Sequence, residues 1–460
     1  MKQSVLKKFI AASLAAAMAV SVTACGNTSG SSSTGGSAAG STASKTATAE
    51  GDKEITFWDI ATENPDKEIM EYAVKKFNET NKDGYHVTMV PTQNDNYKEK
   101  LVVAMSSGEC PDMYTSWSGG PMNEYIDSGY AQPIDDLMKS SGVQDKLMEA
   151  AVAQATYNGH IYAVPMLNVS MAGVFYNKEM FQKYNIKVPT TLSELEKAAD
   201  TLKSNGITPF ALANSSKWTG SMYFQCLAAR KAGLDPFRNA VAGKGSFEDE
   251  CFTYAGDKIQ EWTKKGYFPD GVNSLSEDDG QARQLLYQEK AGMDLIGSWY
   301  TGNIKTDSAD FYKKVGWFSF PKIDGSTADD TIQIGTVGDQ FISFNCKGDK
   351  LKAAFECAKL YSSDEAVDLM IKNGKIPPIK GVDSKLSDPL TKQICEAANK
   401  ASSVQLWYDQ YLPPAVAETH LNTCQEMFGL TMTPKDAAAK MQKSMKDYLA
   451  NKSSSSASKK

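Results

Sequence analysis

The chain has 460 residues, 41% of them apolar and 10% aromatic, enough for a sizeable buried core and too many for a single one. Its formal charge of −6, with no basic patch beyond the short Lys459-Lys460 end, excludes the electrostatic footprint of a nucleic-acid binder. Eight cysteines without a C-x-x-C pair exclude a zinc-ribbon or thioredoxin-like reading.

The chain opens with a basic front, Lys2, Lys7 and Lys8, followed by an apolar run from Phe9 to Val22. That run is shorter than the roughly 20 residues a membrane span needs, so residues 1–24 read as a secretory signal peptide. Removing them takes three lysines and no acids, which moves the formal charge from −6 to about −9. Val22-Thr23-Ala24-Cys25 resembles the lipobox of bacterial lipoproteins, in which the cysteine receives a diacylglyceryl group and becomes the first residue. Residues 25–52 are nearly all Gly, Ser, Thr and Ala after Cys25, too polar to order themselves. As a coil of about 27 residues this linker reaches about 30 Å. Two acyl chains hold a protein at a membrane where one does not, so a lipid on Cys25 implies a tether. Nothing after residue 53 reads as a membrane span.

From residue 53 the pattern alternates. Glu54-ITFWDI reads as a strand; Asp66-KEIMEYAVKKFNET puts Ile69, Ala73 and Phe77 on one helical face; His86-VTMVPT is a strand. Tyr97, Leu101 and Met105 mark a second helix, ended by Gly108, and Cys110-PDMYTSW a third strand. Strand–helix alternation of this length predicts an α/β fold with an open, mostly parallel sheet. Ligands of such sheets bind beyond the carboxyl ends of the strands, which here carry Asp59 and Glu63, Asn94 and Asp95, and Ser116 and Trp117. A second α/β unit starts near residue 171. Thr191 and Glu194 are spaced as a capping box, Gly206 ends that helix, and strands follow at 207–212, 293–296, 315–320 and 340–344. Helices dominate from Asp349, and the serine-rich end, 451–460, reads as a disordered tail. The seven cysteines after Cys25 are scattered among apolar neighbours and read mostly as small buried hydrophobes.

Tyr157-NGHIYAVP, Val174-FYNKEMF, VPTTLSEL, Ala291-GMDLIGSW and Lys375-IPP, in this order, resemble the extracellular solute-binding proteins of ABC importers, the carbohydrate-binding, maltose-type group in particular. The resemblance spans about residues 53–450. It implies two discontinuous α/β lobes with a ligand cleft between them: 53–168 with 323–374, and 169–322 with 375–450. Hinge crossings would fall near Asn168, Lys322 and Lys375. It also implies a monomer that delivers a sugar to the permease subunits of an ABC transporter, lipid-anchored on the extracellular face of a bacterial, Gram-positive membrane, with no cofactor and no catalysis.

A pyranose ring offers an apolar face that suits an aromatic plane and a rim of hydroxyls that need buried polar partners. Of seven tryptophans, Trp262 in mid-helix and Trp317 in mid-strand read as core, and Trp58 as packing beneath its loop. By motif, Trp117, Trp218, Trp299 and Trp407 resemble the positions where the family stacks rings on sugar. The polar candidates are Asp59, Glu63 and Asn94 from strand-end placement, Asn168 and Ser170 after the YAVP motif, Asp339 at the start of a returning strand, and Asp409 beside Trp407. The maltose-type Asp-Arg pair after the Trp117 position is replaced by Ser118-Gly119-Gly120-Pro121, and Ser170 stands where that group has an acid. Maltose itself is therefore disfavoured, and four rings favour an oligosaccharide. The alternatives are a non-sugar solute and a surface glycoside hydrolase. Three histidines, no H-E-x-x-H and no G-x-S-x-G leave no other catalytic constellation. Glu277-Asp278-Asp279 lacks calcium-loop spacing and reads as a solvated helix start. A phosphorylated ligand is disfavoured because the candidate loops carry few Arg or Lys.

Overall fold

The computed structural model describes residues 53–457; the leader, Cys25, the linker to residue 52 and the last three residues lie outside it. The described chain forms two α/β lobes, each around its own sheet and apolar core.

The first lobe holds five strands in the order His86–Pro91, Glu54–Asp59, Met113–Ser116, Gln340–Phe344 and Ala163–Met166. The first three are parallel, as the strand–helix alternation predicts. Gln340–Phe344 is antiparallel to both its neighbours, because it enters from the other lobe rather than through a crossover helix. The helix Asp66–Thr80 buries Ile69, Ala73 and Phe77, the predicted face, together with Met70 and Val74. Each large apolar side chain buried in this way contributes roughly 1.5–3 kcal/mol. The helix Asn94–Ser107 buries Tyr97, Leu101 and Met105 and stops at Gly108, whose φ of 76° costs a glycine nothing.

The second lobe is built on the nine-residue strand Val169–Asn177. One edge of it pairs with Ala291–Gly297, which in turn pairs with Thr208–Phe210. The other edge is shared: Gln333–Val337 pairs with its first residues and Val315–Ser319 with its last. Val404–Gln405 extends the sheet beside Gln333–Val337. The helix Leu192–Ser204 carries the predicted capping box, with both the Thr191 and the Glu194 bonds made. Trp262 and Trp317 are buried in this core.

The chain changes lobe at Leu167–Asn168, at Gly338–Asp339 and near Lys375. The second of these lies later than the Lys322 expected from the sequence. Lys322 stays in the second lobe, where its carbonyl accepts from Leu192 N–H at 2.8 Å, and Gln333–Val337 still belongs to the second sheet. The three crossings are bonded side by side. Val169 N–H donates to the Ile376 carbonyl at 2.6 Å, and Gly338 N–H to the Asn168 carbonyl at 3.1 Å.

All seven described cysteines are free, six of them buried and Cys110 partly so. The last helix, Pro434–Ala457, continues through residues 451–457, which the serine-rich composition assigns to a disordered tail. No described helix is long and apolar enough to cross a membrane.

Candidate functional site

The carboxyl ends of the parallel strands in the first lobe face the second lobe across a cavity of about 210 Å³. Of the residues singled out in the sequence, Glu63, Asn94, Trp117, Trp218, Trp299, Asp339, Trp407 and Asp409 line it. They come from seven separate segments of the chain, Trp407 and Asp409 sharing one.

The tryptophans are placed by strand and helix ends. Trp299 lies two residues past the strand Ala291–Gly297, Trp218 opens the helix Trp218–Ala232, and Trp407 precedes the short turn of helix Tyr408–Tyr411. These three form a continuous cage in the second lobe. Trp299 is 5.9 Å from Trp218 and 5.8 Å from Trp407 between ring centroids, at 59° and 70°. The indole of Trp299 folds back over Gly297, where a Cβ would stand 2.0 Å from the ring, so only glycine permits this pose. Trp117 faces the cage from the first lobe, with Tyr97 against its edge at 5.9 Å and Lys98 Nζ 5.0 Å from its ring centre. The Trp218 indole N–H is buried and has no partner among the described residues, a donor left for whatever fills the cavity.

Three expected site residues do not line the cavity. Asp59 is fully buried beneath its loop, where Oδ1 accepts from Ala61 N–H at 2.7 Å. Asn168 and Ser170 are fully buried at the crossing. The Asn168 amide donates to Ser170 Oγ at 2.8 Å and Ser298 Oγ at 3.4 Å, and its oxygen accepts from Ile376 N–H at 2.6 Å. A crossing point leaves three backbones close together with unpaired polar groups, and an asparagine satisfies them better than a sugar would. Trp58 packs on the small cluster around Tyr97 and Tyr114, with Lys100 Nζ 3.8 Å over its ring, as packing under the loop predicts.

The acid run Glu277-Asp278 is corrected in the other direction. Glu277 is only 8% exposed, and both residues line the cavity. Asp278 Oδ2 accepts from Asp95 N–H at 3.0 Å, so a side chain of the second lobe caps the helix Asn94–Ser107 of the first. The cations are also more numerous than the loops suggest. Arg283, buried at the cavity wall, is 3.3 Å from Asp307 and 3.8 Å from Glu63 of the opposite lobe. The Asn303 amide, with its oxygen toward Arg283, accepts from Nη1 at 2.7 Å and donates to the Trp299 carbonyl at 2.9 Å. Arg283 and Asn303 carried no strand-end or motif signal, because only the folded second lobe brings them beneath Trp299.

Burial governs the charge of the cavity. It pushes the Glu277 carboxyl up to about 8 against the pull of Arg283. It raises Asp339 to about 7, opposed by Lys375 and by hydrogen bonds from Ser170 and Asn168. Asp409 is raised by burial and held back by Lys98. An acid raised to about 8, as Glu277 is, is largely protonated at neutral pH and can donate as well as accept hydrogen bonds. The cavity therefore joins aromatic faces to closely spaced donors and acceptors, an arrangement for binding a polyol with apolar ring faces.

Comparison with known proteins gives the family and the fold. Residues 61–368 match the family described as bacterial extracellular solute-binding protein. An uncharacterized ABC transporter extracellular-binding protein of Pyrococcus horikoshii is 29% identical over 367 residues, 78% of this chain and 79% of that protein. The multiple sugar-binding protein of Streptococcus mutans is 27% identical over 315 residues, 66% of this chain and 70% of its own. A structure from work on xylan utilization by Caldanaerobius polysaccharolyticus superposes with a TM-score of 0.78 at 31% identity, covering 85% of this chain and 99% of that one. A maltose-bound T. maritima MalE3 structure shares the fold at a TM-score of 0.72 and 19% identity, over 86% of this chain and 99% of its own.

Proposed function

Because the chain belongs to the bacterial extracellular solute-binding protein family, whose ABC transporter members bind sugars and work with permeases, we propose that it captures an oligosaccharide and delivers it to such a permease. The observation that carries this reading is the Trp218–Trp299–Trp407 cage facing Trp117 across the cleft. Indole planes cover the apolar faces of sugar rings, while Glu63, Asn94, Asp339 and Asp409 meet the hydroxyls. Leaving such a buried group unpaired costs about 1–3 kcal/mol, so the site discriminates by hydroxyl pattern. The lobes close on the sugar because it touches both, and closure is driven only by the difference in affinity between closed and open states. A diacylglyceryl lipid on Cys25 holds the protein as a monomer at the extracellular face of a Gram-positive membrane, and the linker lets it reach the permease. The xylan context of the 31% identical structure makes xylo-oligosaccharides the first ligands to try.

The test is a titration of xylo-, malto- and chito-oligosaccharides followed by tryptophan fluorescence and calorimetry, with recovery of the sugar afterwards. Binding with the sugar returned unchanged is expected; release of shorter sugars assigns a hydrolase instead. Trp299→Ala should weaken binding at least tenfold, about 1.4 kcal/mol, with the fold intact. Unchanged affinity removes Trp299 from the site. Mass spectrometry of the membrane-extracted protein should find the lipid on Cys25; an unmodified cysteine there removes the tether.

A further inference from the structure

Arg283 meets a different partner with each of its three guanidinium nitrogens. Nε lies 3.3 Å from Asp307, Nη1 donates to the Asn303 amide oxygen at 2.7 Å, and Nη2 lies 3.8 Å from Glu63. Asn303 and Asp307 stand one turn apart on the helix Tyr300–Asp307. Glu63 belongs to the loop between the first strand and the helix Asp66–Thr80 of the first lobe. One buried side chain thus grips a helix of its own lobe at two points and reaches across the cleft with its third branch. A guanidinium suits this task because its fork is planar and rigid, so turning one branch turns the others.

The gripped helix begins at the aromatic cage. Trp299 immediately precedes it, and the Asn303 amide donates to the Trp299 carbonyl at 2.9 Å. An unbroken line of contacts therefore runs from Glu63 through Arg283 and Asn303 to the middle ring of the cage. The same helix is also tied to the first lobe elsewhere. Thr301 Oγ1 donates to the Gly374 carbonyl at 2.5 Å, and Lys305 Nζ to the Lys372 carbonyl at 2.7 Å. Those bonds lie beside the crossing near Lys375, where rotation of one lobe on the other moves atoms least. The contact with Glu63 spans the cleft itself. With Glu63 63% exposed, that ion pair adds little stability of its own, and what it sets is the direction of the guanidinium.

We propose that Arg283 is a positioning residue for sugar binding, a relay that ties closure of the lobes to the pose of Trp299. In the closed form Glu63 draws the guanidinium toward the cleft, and Asn303 carries that orientation to the Trp299 carbonyl. On opening, Arg283 keeps only Asp307 and Asn303, and the indole loses the pose that stacks on a ring. Stacking on Trp299 is then stronger in the closed state than in the open one, which is the difference a ligand needs to drive closure. The coupling runs through touching groups whose far end has two arrangements, bonded across the cleft or not. The inference rests on the sugar-binding reading and goes past it by naming the residue through which one lobe informs the other.

The experiment uses the full-length protein labelled with 5-fluorotryptophan and saturated with whichever xylo-, malto- or chito-oligosaccharide binds it. Loss of one fluorine NMR signal in Trp299→Phe assigns that residue. Glu63→Gln, a change in the other lobe, should shift the Trp299 signal, and Asn303→Ala or Arg283→Lys should abolish that response. Lysine keeps the charge but not the fork; should Arg283→Lys fail to fold, Asn303→Ala decides alone. In calorimetric titrations Glu63→Gln and Asn303→Ala should each weaken binding at least threefold, and the double substitution should be no weaker than the worse of the two. Independent contacts would instead multiply their losses. A Trp299 signal indifferent to Glu63→Gln, a response that persists in Asn303→Ala, or multiplied losses overturns the relay and leaves sugar binding standing. Failure of every sugar series to bind the unsubstituted protein overturns both readings.

Discussion

Glu277 shows how far a single position can depart from its local sequence. In the run Glu277-Asp278-Asp279 it looks like one of three solvated acids, yet the fold buries it against Arg283 and pushes its carboxyl from 4.5 to about 8. Asp59, raised from 3.8 to about 6, and Asp339, raised from 3.8 to about 7, follow the same rule. A carboxyl whose folded value lies above its unfolded one binds more protons when folded. Its contribution to stability is full below the unfolded value and is lost as pH rises through the folded one. The melting temperature should therefore fall between about pH 5 and pH 8.5. Glu277→Gln, which keeps the shape and cannot ionise, should flatten the upper part of that fall, measured by calorimetric scans across the range. A substituted protein with the same pH slope as the original would show that Glu277 is not the group that titrates.

At the scale of elements, the crossings matter more than any helix. Three segments pass between the lobes at Asn168, Gly338 and Lys375, and Asn168 bonds to the third of them through Ile376 N–H at 2.6 Å. The residue was expected at the ligand because it follows the YAVP motif, and the two roles make opposite predictions. As a crossing residue, Asn168→Ala strands a buried N–H and should cost about 1–3 kcal/mol in urea unfolding, with sugar affinity within a few-fold of the original. A ligand contact would show the reverse, lost affinity at unchanged stability. The crossing lies after Val337 rather than near Lys322 because Gln333–Val337 pairs with Val169–Met171 and so belongs to the second lobe, a long-range pairing that no local pattern around Lys322 carries.

At the scale of the whole molecule, the lobes meet on both sides of the cleft. Asp278 caps a helix of the first lobe, Arg283 reaches Glu63, and Lys375 pairs with Asp66 at 2.5 Å. The Ser118-Gly119-Gly120-Pro121 run, which departs from the maltose-type pattern, has its reason in the same closure. A Cβ on Gly120 would stand 2.1 Å from the Leu412 carbonyl oxygen, and one on Gly119 would stand 2.3 Å from that of Gln410. Both obstacles are backbone of the opposite lobe and cannot rotate away. Gly120→Ala should hold the lobes apart, so that the sugar-saturated protein keeps a larger radius of gyration in X-ray scattering and binds at least tenfold more weakly. Full compaction with unchanged affinity would mean that this contact is not part of the liganded state.

Local chemistry was readable in the chain itself. The face of Ile69, Ala73 and Phe77, the Thr191–Glu194 box, the stop at Gly108 and the core places of Trp262 and Trp317 all depend on neighbours within a few residues or on period alone, and the structure has each of them. Trp117 is pointed to by its strand end, since strand ends in an open α/β sheet share one edge, and Trp299 by its resemblance to the family's pattern; both line the cavity. What the fold alone decided is which polar groups reach the cavity. Asp59, Asn168 and Ser170 turned inward, while Glu277, Arg283 and Asn303 turned toward it, since a side chain at a strand end or a crossing can face either way. Period and composition fix which face of an element is apolar; only the packing of one lobe against the other fixes what that face, or the gap beside it, will meet.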